Sequence, residues 1–313
     1  MKVGFIGLGN VGGKLANSLL KNGINLSVKD LDLKLMSSFK DAGAFVSKSP
    51  KELAENSDII ITCLPSPESC SEVMESDDGV INGISKNKIW IEMSTTDSNE
   101  VIRISELLKI KGAISLDAPV SGGCHRAETG NISIFVGGER NTFEKVLPIL
   151  SFMGKNIIHT GSLGTASILK VITNFLATTH LVALGEALVL AKKTNINLNT
   201  AYKAIKISSG NSFVHETESQ VILNGSYNIN FTMDLVLKDI NLFNHLLLKN
   251  DIPSEITTLL IKIFNDGKKK FGSKAWSSMI VKRLEDICNV NLRASGFPSE
   301  LIDNDPQVKG FEV

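Results

Sequence analysis

Residues 1–12 constrain the fold more than any other segment. KVGFIG (2–7) is a short apolar run that ends in glycine. NVGGKLANSLLKN (10–22) has helical spacing and stops at Gly23. A strand, a tight turn and a helix in immediate succession open a βαβ unit. The turn reads Gly7, Leu8, Gly9, Asn10, Val11, Gly12. Gly7 permits the sharp turn, Gly9 lets backbone approach a bound group, and Gly12 lets the helix lie against the strand. A helix start of this kind aims backbone N–H groups at an anion. In that context the pattern points to a dinucleotide pyrophosphate. The next strand, NLSVK (25–29), leads into Asp30, 18 residues past Gly12. An acid there is placed to accept from adenosine ribose hydroxyls. Leu31 follows, where users of the 2′-phosphorylated cofactor often carry arginine, and an anionic Asp30 repels a 2′-phosphate. These residues predict NAD, with NADP the weaker candidate.

SDIIITC (57–63), KIWIEM (88–93), AISLDAP (113–119), NISIFVGG (131–138) and NIIHTG (156–161) read as further strands. Helical runs at 98–110 and 141–152 separate some of them. The alternation predicts an α/β domain over 1–161, a doubly wound, mostly parallel sheet of the Rossmann type. After Gly161 the pattern changes. A long interdomain helix occupies 164–193, periodic from Thr165, with Gly185 as its one internal breaker. At 1.5 Å per residue it is about 43 Å long. Runs at 199–207, 233–249, 253–269 and 275–287 make 162–313 an all-helical domain, closed by a polar, irregular tail at 291–313. That tail is expected to pack over a neighbour or fray.

A length of 313 residues suits two domains. Lys plus Arg and Asp plus Glu each total 33, so no global field exists to hold nucleic acid or an anionic membrane. No apolar run reaches the roughly 18 residues of a bilayer span. A strand begins at residue 2, so neither a signal nor a transit peptide is expected. Cysteines 63, 70, 124 and 288 form no CxxC pair and read as reduced thiols of a cytoplasmic protein, Cys124 as a small structural residue. Histidines 125, 159, 180, 215 and 245 lack ligand spacing, so no metal is expected. Trp276 and Glu285 read as helix packing and surface. The long helix is apolar on several faces and must be covered, which predicts a homodimer or homotetramer.

Two further stretches carry chemistry. DAPVSGG (117–123), continued by AETG (127–130), ends a strand in a turn. The Ser121 hydroxyl and the Gly122 and Gly123 N–H groups suit a carboxylate, with no side chain in the way. Alone, the stretch also reads as an ordinary glycine turn. Lys170 and Asn174 stand one helical turn apart among Ile168, Leu169, Val171, Ile172 and Phe175. A lysine against apolar walls has its pKa lowered toward neutrality, which suits proton exchange with an alcohol. Alone, an exposed lysine is the commoner outcome.

GFIGLGNVG (4–12), CLPS (63–66), STT (94–96), DAPVSGG (117–123), Lys170 with Asn174, and KD (238–239) occur in this order. Together they resemble the β-hydroxyacid dehydrogenase family, which includes 3-hydroxyisobutyrate dehydrogenase and tartronate semialdehyde reductase. The resemblance spans about residues 1–290. It implies a Rossmann-type domain, a long interdomain helix and an all-helical domain. It implies that Leu64, Pro65 and Thr95 line the dinucleotide, and that Ser121, Gly122 and Gly123 hold the substrate carboxylate. It assigns Lys170 as the catalytic lysine and Asn174 as a substrate-holding residue. Lys238 matches the cofactor-side lysine, with Asp239 as its orienting neighbour. The implied activity is NAD-dependent hydride transfer on a small 3-hydroxy acid or semialdehyde. Side chains of the helical half near 208–213 and 231–238 are the leading candidates for setting specificity.

The chain departs from the family at three places. Ala166 stands where a glycine is usual and Thr173 where an asparagine is usual. Arg126 stands where a small residue is commoner. A cation there favours a second acidic group on the substrate, unless it is simply a solvated surface arginine. Four rival readings remain. Tyr202 and Lys206 form a YxxxK outside the context short-chain dehydrogenases need. Phosphogluconate-type enzymes carry histidine and asparagine soon after the lysine, where this chain has Val171, Ile172 and Thr173. Imine reductases tend to replace the lysine. A non-catalytic NAD-binding module does not need Ser121, Lys170, Asn174 and Lys238 together.

Overall fold

Ile59, Ile60 and Ile61 show why the first half builds a sheet covered on both faces. All three are at most 1% exposed. Ile59 and Ile61 join one apolar core with Val3, Phe5 and Ile91. Ile60 joins another with Ile6 and Trp90. Successive side chains point to opposite faces, so an unbroken isoleucine run requires a core on each side.

The computed structural model describes residues 1–313. Its strands are β1 (Lys2–Ile6), β2 (Asn25–Lys29), β3 (Phe45–Val46), β4 (Ile59–Thr62), β5 (Ile89–Glu92), β6 (Ile114–Asp117), β7 (Val120–Ser121), β8 (Ile132–Gly137), β9 (Gly154–Gly161) and β10 (Phe311–Glu312). They form one sheet in the order β10-β9-β8-β6-β5-β4-β1-β2-β3, with β7 paired to β8 off that path. β8 runs antiparallel to β6 and β7, and the other pairs are parallel. The order reverses at β1, which lies between β2 and β4. Ligands of such sheets bind beyond the carboxyl ends of the strands at that reversal.

Two compact units emerge: Met1–Lys170 with Asp303–Val313, and Val171–Ile302. By contacts the division lies between Lys170 and Val171, inside the helix Thr165–Lys193, nine residues after the expected boundary at 161. The reason is contact. Ala166 and Ser167 are buried, and Ser167 bonds to β6. The tail expected to be irregular ends as β10, parallel to β9, and its last residues group with the sheet.

The long helix bears on the membrane expectation. Over 18 residues its mean hydropathy is 1.4, long and apolar enough by composition to cross a bilayer, with 33% of that window buried. Thr173, Asn174, Thr178 and Thr179 interrupt the apolar run without lowering the mean far. A helix that serves as the core of a water-soluble protein has the same signature.

The second unit is helical, with Leu198–Lys206, Phe213–Asn224, Met233–Lys249, Glu255–Phe271 and Met279–Cys288 following the long helix. Glu285 is buried rather than at the surface. It accepts from Leu292 N at 2.7 Å, from Arg293 Nη1 at 3.0 Å and from the Tyr227 hydroxyl.

Candidate functional site

The 7–12 turn is shaped by its glycines. Gly7 has φ +96° and its N–H donates to Lys29 O at 3.0 Å. A Cβ on Gly12 would stand 2.1 Å from Gly7 O, so the helix Gly12–Lys21 approaches too closely for any side chain. A Cβ on Gly9 would meet nothing within 4 Å. Val11 precedes the helix and offers no side-chain cap, which leaves the helix start to an external acceptor. Exposed Gly9 backbone before an uncapped helix fits a pyrophosphate. Asp30 has a second task here. Its Oδ2 accepts from Leu8 N at 2.5 Å and its Oδ1 from Asp32 N at 2.8 Å. Each oxygen retains a lone pair for a ribose hydroxyl. Leu31 is 95% exposed beside it.

The loops after β4 and β5 sit next to this turn. A Cβ on Gly7 would stand 2.3 Å from Cys63 O. Leu64 N donates to Ser94 Oγ at 2.7 Å, tying the loop that holds Leu64 and Pro65 to the one that holds Thr95. Beneath both lies Glu92, fully buried, which no motif picks out. Its Oε1 accepts from Ser94 N at 2.7 Å. Its Oε2 meets Thr62 Oγ1 at 2.9 Å and Cys70 Sγ at 2.8 Å. Burial pushes the Glu92 carboxyl up, against the pull of those hydrogen bonds, and pushes the Cys70 thiol up as well. The only sequence signal was an acid closing a buried strand.

The 121–123 turn uses positive φ twice, +132° at Gly122 and +86° at Gly123. Ser121 ends β7 opposite Ser133 of β8. A Cβ on Gly122 would stand 3.3 Å from Arg126 Cδ, so the arginine stem lies along the turn and is half-buried rather than solvated. Burial, and then the Arg126 charge, push the His125 imidazole down.

Asp117 links this turn to the lysine. It is fully buried at the end of β6. Its Oδ1 accepts from Gly164 N at 2.9 Å. Its Oδ2 accepts from Ser167 N at 2.7 Å and Ser167 Oγ at 2.9 Å. It caps the long helix from outside, with its charge at the positive end of the dipole. Gly137 makes room, since a Cβ there would stand 2.3 Å from Asp117 Oδ1. Lys170, one turn beyond Ser167, is 8% exposed rather than free in solvent.

In the helical unit, Asn174 Nδ2 donates to Asp239 Oδ2 at 2.6 Å, and Lys238 Nζ pairs with Asp239 Oδ1 at 2.9 Å. One buried carboxylate thus holds both side chains. Phe175 stacks on Phe243 at 4.1 Å and fastens the same two helices. Lys206 of the YxxxK pairs with Glu216 at 3.1 Å. The structure holds no group of three or more metal-ligating side chains.

Two family profiles match. One, the NAD-binding domain of 6-phosphogluconate dehydrogenase, covers residues 2–161. The other, described as NAD-binding of NADP-dependent 3-hydroxyisobutyrate dehydrogenase, covers 164–284. The 2-(hydroxymethyl)glutarate dehydrogenase of Eubacterium barkeri is 32% identical, over 93% of this chain and 97% of its own. The mitochondrial 3-hydroxyisobutyrate dehydrogenase of Mus musculus is 31% identical, over 91% and 87%. A crystal structure of 3-hydroxyisobutyrate dehydrogenase from Salmonella typhimurium superposes with a TM-score of 0.82 at 26% identity, covering 90% of this chain and 99% of the other.

Proposed function

Because this chain belongs to the β-hydroxyacid dehydrogenase family, an NAD(P)-dependent oxidoreductase family, we propose that it transfers a hydride between NAD and a small 3-hydroxy acid or its semialdehyde, with Lys170 as the general acid–base. Ser121 Oγ and the N–H groups of Gly122 and Gly123 hold the substrate carboxylate. Neutral Lys170 takes the hydroxyl proton during oxidation, and its ammonium returns it during reduction. Asn174 helps orient the substrate, and Lys238, steadied by Asp239, serves the cofactor side. Bound at the 7–12 turn with Leu64, Pro65 and Thr95, NAD supplies the hydride chemistry. The observation that carries the reading is a lysine 8% exposed, whose helix is pinned by Asp117 to the strand that leads into the 121–123 turn.

Asp30 supports NAD over NADP through its charge, although the second profile is named for an NADP-dependent enzyme. Comparing kcat/KM for NADH and NADPH tests this, and a preference for NADPH overturns it. That second profile, with Val171, Ile172 and Thr173 after the lysine, supports the hydroxy-acid reading over the phosphogluconate one, although the first profile is named for 6-phosphogluconate dehydrogenase. The long helix exposes Ile168, Leu169, Leu176 and Leu190, which supports a homodimer or homotetramer, readable by sedimentation.

The relatives are named for 3-hydroxyisobutyrate and 2-(hydroxymethyl)glutarate, and the latter carries a second carboxylate. The half-buried Arg126 along the turn favours including dicarboxylic hydroxy acids among the candidates. The test is NAD reduction across about a dozen hydroxy acids. They include these two, 3-hydroxypropionate, glycerate, 4-hydroxybutyrate and a threonate-like sugar acid. Turnover on at least one is expected. Calorimetric NAD binding without turnover on any makes the chain a cofactor-binding module instead.

A further inference from the structure

Residues 285–313 lie beyond both matched family profiles, which end at 161 and 284. The last of them, Asp303–Val313, return to the sheet-bearing unit. At the far end β10 adds to β9, with Phe311 opposite Asn156 and Glu312 opposite Ile157. Gly310 N donates to Ser151 O at 2.9 Å, and a Cβ on Gly310 would stand 1.9 Å from Gly154 O. Glu312 pairs with Arg140, whose Nη2 reaches Oε2 at 2.8 Å. This end is therefore a fixed anchor.

The near end meets the substrate turn's own segment. Asp303 Oδ2 accepts from the Thr129 hydroxyl and from Asn131 Nδ2 at 2.7 Å. Asn131 Nδ2 also reaches Asp305 O at 3.0 Å. The Gln307 amide covers Gly130, where a Cβ would stand 2.9 Å from Nε2. Thr129, Gly130 and Asn131 close the excursion that leaves β7 at Ser121 and returns as β8. Between them lie Gly122, Gly123 and the helix Cys124–Thr129. That helix has six residues and no side-chain cap at Gly123. Helices so short do not hold themselves. The base of the excursion is fixed by the Ser121–Ser133 pairing, and Asp303 adds a hold on its returning limb at Thr129 and Asn131.

Asp303 keeps its charge for this work. Burial opposes ionisation, but the hydrogen bonds from Thr129, Asn131 and the Asp305 backbone outweigh it, with Arg126 adding attraction. The carboxyl is held below its usual range. Asp303 thus also answers part of the Arg126 charge.

We propose that the C-terminal extension is a strap that fixes the carboxylate-binding turn, with Asp303 as a positioning residue acting through Thr129 and Asn131. The proposal rests on reading 121–123 as the carboxylate site. The strap sets how well the substrate is held and leaves the cofactor turn alone.

The test uses the full chain with Asp303→Ala, Asp303→Asn and Ser121→Ala, each assayed for the KM of substrate, the KM of NAD and kcat. Asp303→Ala removes the acceptor shared by Thr129 and Asn131 and is expected to raise the substrate KM roughly ten-fold, with the NAD KM and kcat within about two-fold. Asp303→Asn keeps an acceptor oxygen and is expected to restore most of the affinity. Ser121→Ala is expected to raise the substrate KM as well. If Ser121→Ala raises it and Asp303→Ala does not, the strap is wrong and the turn's role stands. If neither variant moves it, the reading of the turn fails and takes the strap with it. An equal rise in both KM values means a general loss of fold and overturns the strap. Should Asp303→Ala not fold, Asn131→Ala removes one of the two donors to Asp303 together with the bond to Asp305 O. A raised substrate KM in that variant supports the strap, and an unchanged one overturns it.

Discussion

Two glycine turns in the sheet-bearing unit, both proposed above to hold anions, are held in place differently. The 7–12 turn depends on its near neighbours: Gly7 against Lys29 O, and Leu8 N on Asp30, 22 positions away. The 121–123 turn depends on remote partners. Asp117, just before it, bonds residues 47 and 50 positions on, and Thr129, just after it, bonds one 174 positions on. A turn fixed by near neighbours relies less on remote hydrogen bonds, although Cys63 O also packs against Gly7. A turn fixed remotely couples its site to the helix that carries Lys170 and to the tail. Lesions in the two should therefore separate cofactor binding from substrate handling.

The largest effect tests the local turn. Gly12→Val places a branched side chain where even a Cβ would stand 2.1 Å from Gly7 O. The turn must open, and the Kd for NAD measured by calorimetry is expected to rise more than about 100-fold. Asp117→Asn breaks the remote turn. An amide N–H₂ then faces buried donors, so kcat is expected to fall about 10- to 100-fold with the NAD Kd within about two-fold. Equal losses in both would erase the distinction between the turns.

Asp30→Asn sharpens the contrast from the cofactor side. It keeps an acceptor for Leu8 N and removes the charge, so the NADPH-to-NADH ratio of kcat/KM is expected to rise roughly ten-fold. An unchanged ratio removes Asp30 from cofactor choice. The smallest effect belongs to Glu92→Gln. Burial raises this carboxyl in the folded protein, so its contribution to stability is complete below the ordinary glutamate range and is lost as pH rises through the folded-state value. Glutamine does not titrate. The variant's melting temperature is expected to decline less with rising pH than the parent's, and parallel curves would contradict this.

The comparison also explains what could be read from sequence. The 7–12 turn was legible because its glycines, strand, helix and Asp30 are contiguous and each has a distinct physical role. The buried strands were legible because runs such as IIIT and IWIE have no other use for so many apolar residues. The helices Leu33–Asp41, Pro50–Asn56 and Pro67–Glu75 are too short for a clear period. Their signal lay in caps, with the side chains of Asp32, Ser49 and Ser66 accepting from the first turns. Asp117 lay inside a recognised motif, yet its partners Gly164 and Ser167 are visible only in three dimensions. Asp303 had no signal at all, because a two-residue strand and a single carboxylate in a polar tail look like solvent-exposed chain.

Lys170→Ala is the most direct measurement of the whole account. Calorimetry should find NAD bound within about two-fold of the parent. Turnover on the preferred hydroxy acid should fall by at least about 10²- to 10⁴-fold, the usual range for losing a general acid–base. Normal turnover in that variant contradicts the account, because it leaves the buried lysine with no part in the reaction.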